Sequence, residues 1–347
     1  MHIFSSPHQI DTKDGTVFQP GVRYVVPTGM ARTLESGLIE RLGAEVEYRL
    51  SHFNSYENRY HGQPLGSGRL AIYRHGAIGD TLMATAVVAE IRRRNPEAQI
   101  DLYCRPSNVD LWHGLGVNVR PGFPVLDEVR GDQHLFYENM LESDSEPDQR
   151  CAIDNMLAFA GIDPASVPSD RKIPVVVEKD DDNIFDGKPP IEGQYVFIQN
   201  GCSNGNRDWP HTKELILRLQ LEGIFVVEAG EKQKWRTFRA MIPYVKFASI
   251  VICPDSSIGH LAAAFPHVPV ISLWGLFHPG DRIRYYRNHH PIVGFRACPH
   301  APCRSHLFVL PHQCKDAPSF DGKSCAALAA ISPEVVVAKA KELLCLS

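Results

Sequence analysis

The sequence predicts an α/β protein with two nucleotide-fold domains, each a parallel sheet flanked by helices, behind an added N-terminal α/β segment. Three observations predict this. Short apolar runs alternate with helical stretches from Arg69 onward, as parallel strands joined by right-handed crossovers require. Two acidic, glycine-containing turns follow apolar runs and open helices, Gly76 to Thr81 in one half and Asp255 to His260 in the other. The length, 347 residues, is enough for each half to bury its own core.

The elements follow in order. Residues 1–66 form the extension: a short strand at Val22 to Val26, a helix from Ala31 to Leu42 with Leu34, Leu38 and Leu42 on one face, and a strand at Val46 to Leu50. Ser51 to Ser67 is polar and reads as a linker. Residues 67–178 form the first domain. Arg69 to Arg74 is a strand, Thr81 to about Arg94 a helix ending before Asn95-Pro96, and Ile100 to Cys104 the next strand. Residues 107–150 show only short polar elements, and Cys151 to Phe159 is helical. The stretch Ile173 to Gly193, with its Asp180-Asp181-Asp182 run and Pro189-Pro190, is the domain boundary. Residues 193–331 form the second domain. Its predicted strands are Tyr195 to Gln199, Ile224 to Ala229, Phe247 to Ile252 and Val268 to Leu273; its helices are His211 to Glu222, Lys232 to Ile242 and the one opened by Asp255. Residues 332–347 are a terminal helix with Pro333 in its first turn.

Composition narrows the function classes. A formal net charge of -4 supplies no global basic field, which disfavours nucleic acid as a partner without excluding a local basic patch. No run reaches the roughly 18 apolar residues of a transmembrane helix, and no apolar signal core follows Met1. Five of the nine cysteines are scattered, several in apolar surroundings, which suits a reduced cytoplasmic protein.

The chemistry concentrates at strand ends. In the first turn, the glycines around Gly79 permit close backbone approach, and Asp80 is either a helix cap or a general base for a hydroxyl proton. In the second, Asp255, Ser256, Ser257, Gly259 and His260 present hydroxyls, backbone N–H groups and an imidazole that suit phosphate oxygens, or else form a plain capped helix with a buried histidine. Arg207, in the polar turn Gly201 to Pro210, suits an anion or belongs to a solvated loop. Glu231, just past a strand end, is placed to accept from ribose hydroxyls or lies on the surface. Cys298, Cys303, Cys314 and Cys325 have spacers that admit a structural zinc site, reduced thiols or, in an oxidising compartment, disulfides.

Taken in order, these pieces resemble the heptosyltransferase family of glycosyltransferases, glycosyltransferase family 9, whose members add ADP-heptose in lipopolysaccharide biosynthesis. The resemblance runs from Arg69 to Leu344. It rests on Gly79-Asp80 with the Thr81-Leu82-Met83-Ala84-Thr85 helix start, Arg207-Asp208-Trp209-Pro210, Asp255 through Ala264, Val270 to Gly275, and the Cys-x4-Cys tail leading into Ile331-Ser332-Pro333-Glu334-Val335. It implies a GT-B architecture, two Rossmann-like domains facing a central cleft, with residues 332–347 returning to the first domain. The implied activity is inverting, metal-independent sugar transfer from a nucleotide-diphosphate sugar, ADP-sugar favoured, to an acceptor hydroxyl. Asp80 takes the place of the family's base and Arg207 that of its phosphate-holding lysine, while Asp255 and His260 match its second signature. No cofactor is implied for the chemistry. A glycan is the implied acceptor, with protein or modified DNA as alternatives, and the implied location is cytoplasmic with peripheral contact at the inner membrane. Ser257 departs from the pattern, which often has glycine there. The competing reading is a non-catalytic nucleotide-sugar-binding or scaffold protein on the same fold.

Overall fold

The computed structural model describes residues 1–42, 48–52, 57–137, 151–179, 188–199, 201–202, 207–229, 237–303 and 325–345. The chain divides into two compact units, Met1–Asp144 with Asp154–Pro168, and Ser145–Ile153 with Ser169–Ser347.

In the first unit the chain runs β1 (His2–Ser5), β2 (Ile10–Asp11), β3 (Val17–Phe18), β4 (Tyr24–Val26), α1 (Thr28–Leu42) and β5 (Arg49–His52). It continues through β6 (Arg69–Arg74), α2 (Ile78–Arg94), β7 (Gln99–Cys104), β8 (Asn118–Pro121), α3 (Leu126–Val129), β9 (Gln133–Phe136) and α4 (Ala152–Phe159). The main sheet is parallel, in the order β8-β7-β6-β9. Leu70, Ala71, Ile72 and Tyr73 of β6 are fully buried, as a central strand covered on both faces requires. The next helix, α2, buries Thr81 through Val88 and ends at Asn95, where Arg92, Arg93 and Arg94 complement the carbonyl end of the helix dipole.

The N-terminal segment shares a core with this sheet. Strands β4-β1-β5 form an antiparallel sheet; its Phe4 and Val25, with Leu34 and Leu38 of α1, join one apolar cluster with Tyr73, Tyr103, Phe123 and Phe136. Phe18 stacks on Phe123 at 5.3 Å and Tyr73 packs on the same ring at 5.4 Å. Each such aromatic contributes about 1.5–3 kcal/mol by burial, so the segment is bound by several contacts of this size. The predicted linker is also fastened where it is described. Tyr60 is fully buried and its hydroxyl accepts from Asn95 Nδ2 at 3.0 Å, while Asn95 Oδ1 accepts from Leu65 N–H at 2.9 Å. Polar composition read as solvation; the polar groups instead hydrogen-bond to the end of α2.

In the second unit the chain runs β10 (Tyr195–Gln199), α5 (Thr212–Leu221), β11 (Phe225–Ala229), α6 (Ile242–Lys246), β12 (Ile250–Pro254) and α7 (Ser257–Ala263). It ends with β13 (Val270–Trp274), β14 (His289–Val293), α8 (Ala326–Ala329) and α9 (Pro333–Leu343). All five strands are parallel, in the order β11-β10-β12-β13-β14. Strand β14 is absent from the sequence reading. Two histidines, a proline and partial exposure disguise it, and Pro291 is tolerated because β14 lies at the sheet edge. The helix expected at Lys232 to Ile242 is, in its described part, a 3₁₀ turn at Phe238–Met241 leading into α6, with Pro243 in the first turn of α6. Helix α9 packs on α5 within the second unit, with Lys341–Glu222 at 2.9 Å and Arg218–Glu334 at 2.6 Å across that contact.

Candidate functional site

The first glycine turn joins β6 to α2, and Gly79 is the second residue of that helix. Asp80 is the third helical residue rather than the cap. Its Oδ2 accepts from Ala77 N–H at 3.2 Å, the side-chain half of a capping box, with Ala77 and not Asp80 at the cap position. The same carboxylate faces Arg74 through Oδ1 at 3.5 Å, with Asp80 about a third exposed and Arg74 at 9%. Arg74 is anchored from behind by donating from Nη1 to Tyr137 O at 2.9 Å. Gly76 makes this approach possible. A Cβ there would lie 2.8 Å from Arg74 Cζ and 2.9 Å from Asp80 Cβ, closer than atoms tolerate.

Backbone carbonyls of the turn are clamped from the neighbouring strand end. Arg105 Nε donates to His75 O at 2.9 Å, and Asn108 Nδ2 donates to Gly76 O at 3.0 Å and to Thr81 Oγ1 at 2.9 Å. Below the turn, His75 is buried between Tyr73 and Phe123. Burial pushes its pKa down to about 4, against the pull of Asp14 at 3.8 Å and with Arg105 adding to the fall. The outcome is a rigid turn holding a carboxylate that is fixed on one side and open to solvent on the other. Such a group can accept a proton from a bound hydroxyl.

The second turn joins β12 to α7. Ser256 occupies the cap position but makes no capping bond; its hydroxyl donates instead to the Gln199 side-chain oxygen at the end of β10. Arg207 Nη1 donates to Asp255 O at 3.1 Å, which brings the predicted anion-binding arginine onto the predicted phosphate turn. The neighbours of Arg207 explain its placement. Asp208 accepts from Cys202 N–H at 2.6 Å, and the Trp209 indole donates to Ile331 O at 2.9 Å. Burial raises the Asp208 pKa, with the Cys202 amide and Arg207 pulling it down. Ser257 opens α7 and Gly259 lies in its first turn, where a Cβ would meet Cys253 Sγ at 3.2 Å and His289 Cε1 at 3.4 Å. His260 is buried, with Nδ1 hydrogen-bonded to the Tyr286 hydroxyl at 3.0 Å.

Asp255, Ser256, Ser257, Gly259, His260 and Arg207 are therefore gathered at the C-terminal ends of β10 and β12, where open parallel sheets bind ligands. Gly79 and Asp80 occupy the corresponding place on β6. Glu231 lies outside the described residues, as does Cys314. Of the other cysteines, Cys298 and Cys325 are buried and Cys303 is partly exposed, all as free thiols. Burial pushes Cys325 up, the Leu328 and Ala327 amides pull it down, and the adjacent Cys303 and Cys298 add to the rise. No cluster of three metal-ligating side chains is assembled among the described residues. Sequence reasoning missed Arg74, Gln199 and Tyr286. The first two carry one shared signal: a polar residue closing an apolar strand immediately before a glycine-bearing turn.

Comparison with known proteins reaches the second of these turns through a family model and the fold through solved structures. Residues 236–312 match the family model of glycosyltransferase family 9 (heptosyltransferase). No curated protein sequence matches. Among solved structures, ADP-heptose lipopolysaccharide heptosyltransferase II of E. coli superposes with a TM-score of 0.58 at 16% identity, covering 80% of this chain and 98% of that one. E. coli heptosyltransferase WaaC with ADP gives 0.51 at 14%, covering 79% and 99%. The iron-containing dodecameric glycosyltransferase TibC of enterotoxigenic E. coli H10407 gives 0.58 at 14%, covering 87% and 84%. A TibC structure in complex with ADP-D-β-D-heptose is matched over 99% of this chain. The family match supports the heptosyltransferase-like recognition and the glycosyltransferase class, and the structures support the GT-B-like α/β fold. Among the described residues no helix is long and apolar enough to cross a membrane.

Proposed function

We propose that this protein is an inverting glycosyltransferase that moves a heptose-like sugar from a nucleoside diphosphate, ADP favoured, to an acceptor hydroxyl. The observation that carries the reading is the family match over residues 236–312, which contains the turn from Asp255 to His260. The ADP held by WaaC and the ADP-heptose held by TibC favour an ADP-sugar as donor.

The reaction is a single displacement. The acceptor O–H bond breaks and its proton passes to Asp80. The acceptor oxygen forms a bond to the anomeric carbon as the bond from that carbon to the diphosphate oxygen breaks, inverting the centre. Arg207, the Ser256 hydroxyl, the first amides of α7 and His260 hold the departing diphosphate, so that charge develops against prearranged donors. Arg74 keeps the Asp80 carboxylate in place. Asp80, Arg207 and the α7 donors perform these steps with no metal assigned to the chemistry.

A structural metal is a separate matter. Cys298 and Cys303 lie near enough to Cys325 to add to the rise of its thiol pKa, and TibC is described as iron-containing. With Cys314 they would supply a four-thiolate set, which suits zinc or iron and would cross-link the segment ahead of α8. Elemental analysis of the purified chain decides between zinc, iron and neither.

The test of the transferase reading is a thermal-shift screen against ADP, GDP, UDP and CDP, followed by transfer assays with the corresponding sugars. One nucleotide raises the midpoint by mass action. Asp80→Asn keeps that shift and loses transfer. A shift with no turnover under any acceptor, glycan or protein, points to the non-catalytic alternative; no shift at all overturns the reading.

A further inference from the structure

The donor-side turn contains a second layer that the reaction above does not use. Behind His260 lie Tyr286, from the segment that leads into the edge strand β14, and His289, the first residue of that strand. His289 Nε2 is 3.1 Å from Gly259 O. A carbonyl only accepts, so His289 carries its proton on Nε2. Burial pushes the His289 pKa down to about 3, and His260 adds to the fall, so His289 is a neutral donor to the backbone of α7.

Tyr286 is buried, and among the described residues its hydroxyl has one hydrogen-bond partner, His260 Nδ1 at 3.0 Å. The two rings meet edge-on at 5.7 Å and 87°. Burial holds the phenol well above its ordinary range, Cys151 and Asp255 push the same way and Arg282 opposes, so the hydroxyl keeps its proton. A buried O–H left undonated costs about 1–3 kcal/mol, so the phenol gives its hydrogen to Nδ1.

We infer that Tyr286 is a positioning residue that fixes the neutral tautomer of His260 with its proton on Nε2, so that His260 meets the donor diphosphate as a directed N–H donor. The inference rests on the donor-site reading of His260. It assigns the two groups different work: Arg207 supplies the positive charge, and His260 supplies one aimed hydrogen bond that needs no protonation of the ring. His289, by gripping Gly259 O, holds the turn of α7 from which His260 projects.

Nitrogen-15 spectra of histidine-labelled full-length protein read the tautomer directly, because protonated and unprotonated ring nitrogens differ widely in chemical shift. His260, assigned by loss of its signals in His260→Gln, is expected as the Nε2–H form, and Tyr286→Phe is expected to mix the two tautomers. A predominantly Nδ1–H His260 in the unsubstituted protein overturns the inference. ADP binding gives an independent measure that does not depend on Tyr286→Phe folding. Gln places an N–H donor near the imidazole Nε2, whereas Asn reaches only the Nδ1 position. His260→Gln is therefore expected to bind ADP about tenfold or more tightly than His260→Asn. Asn binding as well as Gln overturns the inference. If ADP does not bind the parent protein, the donor-site reading fails, and the tautomer in the nucleotide-free protein still decides the role of Tyr286.

Discussion

The two glycine turns occupy equivalent places, each between a central parallel strand and a helix, yet they are built from different forces. The first is held by charge at a half-open surface: Asp80 is about a third exposed and leans on Arg74, which is anchored to Tyr137 O. The second is held mainly by neutral side chains in a buried setting, Ser256 to Gln199, His289 to Gly259 O and Tyr286 with His260, with the Arg207 guanidinium donating to Asp255 O. The difference matches the two tasks. A base must exchange a proton, so its carboxylate stays reachable and its counter-charge stays to one side. A site for a diphosphate must present fixed donors, and buried neutral donors do this without the desolvation cost of extra ions.

The largest expected effect comes from breaking the first turn at its carboxylate. Asp80→Asn should lower kcat about 10²–10⁴-fold while the nucleotide-induced thermal shift persists. Removing the Arg207 cation at the second turn comes next. Arg207→Ala should cost about a hundredfold in kcat/KM and weaken ADP binding as well, a combination the Asp80 variant should not show. Gly76→Ala tests whether the first turn depends on close approach. Its Cβ collides with the Arg74–Asp80 pair, so urea unfolding should report a loss of about 1–3 kcal/mol, with turnover falling as Asp80 shifts.

Acid separates the turns more gently. The folded-state pKa of His75 is depressed to about 4, against an ordinary value near 6.5, so the unfolded chain binds the proton first as pH falls. Stability contributed by neutral His75 is complete above pH 6.5 and is lost progressively down to about pH 4. Between pH 7 and 4.5 that amounts to about 2 kcal/mol, and His75→Asn should flatten this part of the urea-midpoint profile. The smallest effect belongs to the strut behind Arg207. Trp209→Phe keeps the packing and removes the indole donor to Ile331 O, so a loss of about 1 kcal/mol is expected by thermal unfolding.

Much of this architecture was legible because strand runs and helix starts are local. Tyr195 to Gln199 was read at its observed bounds, since a buried parallel strand is a continuous apolar run between turn residues. The turn at Asp255 and its helix were legible for the same reason. What escaped is what depends on long-range partners. Strand β14 is a strand only because β13 pairs with it; its own residues, two histidines and a proline among them, argue otherwise. Tyr60 looked like part of a polar linker because its pocket at Asn95 is 35 residues away. Tyr286 was not singled out in the sequence. Its meaning is a bond to a histidine 26 positions earlier, which no periodicity encodes. Asp80 was seen as cap or base, and the capping half of that choice is visible in its bond to Ala77 N–H.

The shared core of the N-terminal segment has a consequence for how such a protein diversifies. A module that merely hangs from a domain can be lost, swapped or shortened between relatives without penalty to its host. Phe4 and Phe18 instead complete the cluster that covers Tyr73 and Phe123, so the host sheet and its covering have become one inheritance. Residues 1–66 are therefore not a dispensable prefix: cutting them away would leave an aromatic face wet and sticky directly beneath the turn that carries Asp80.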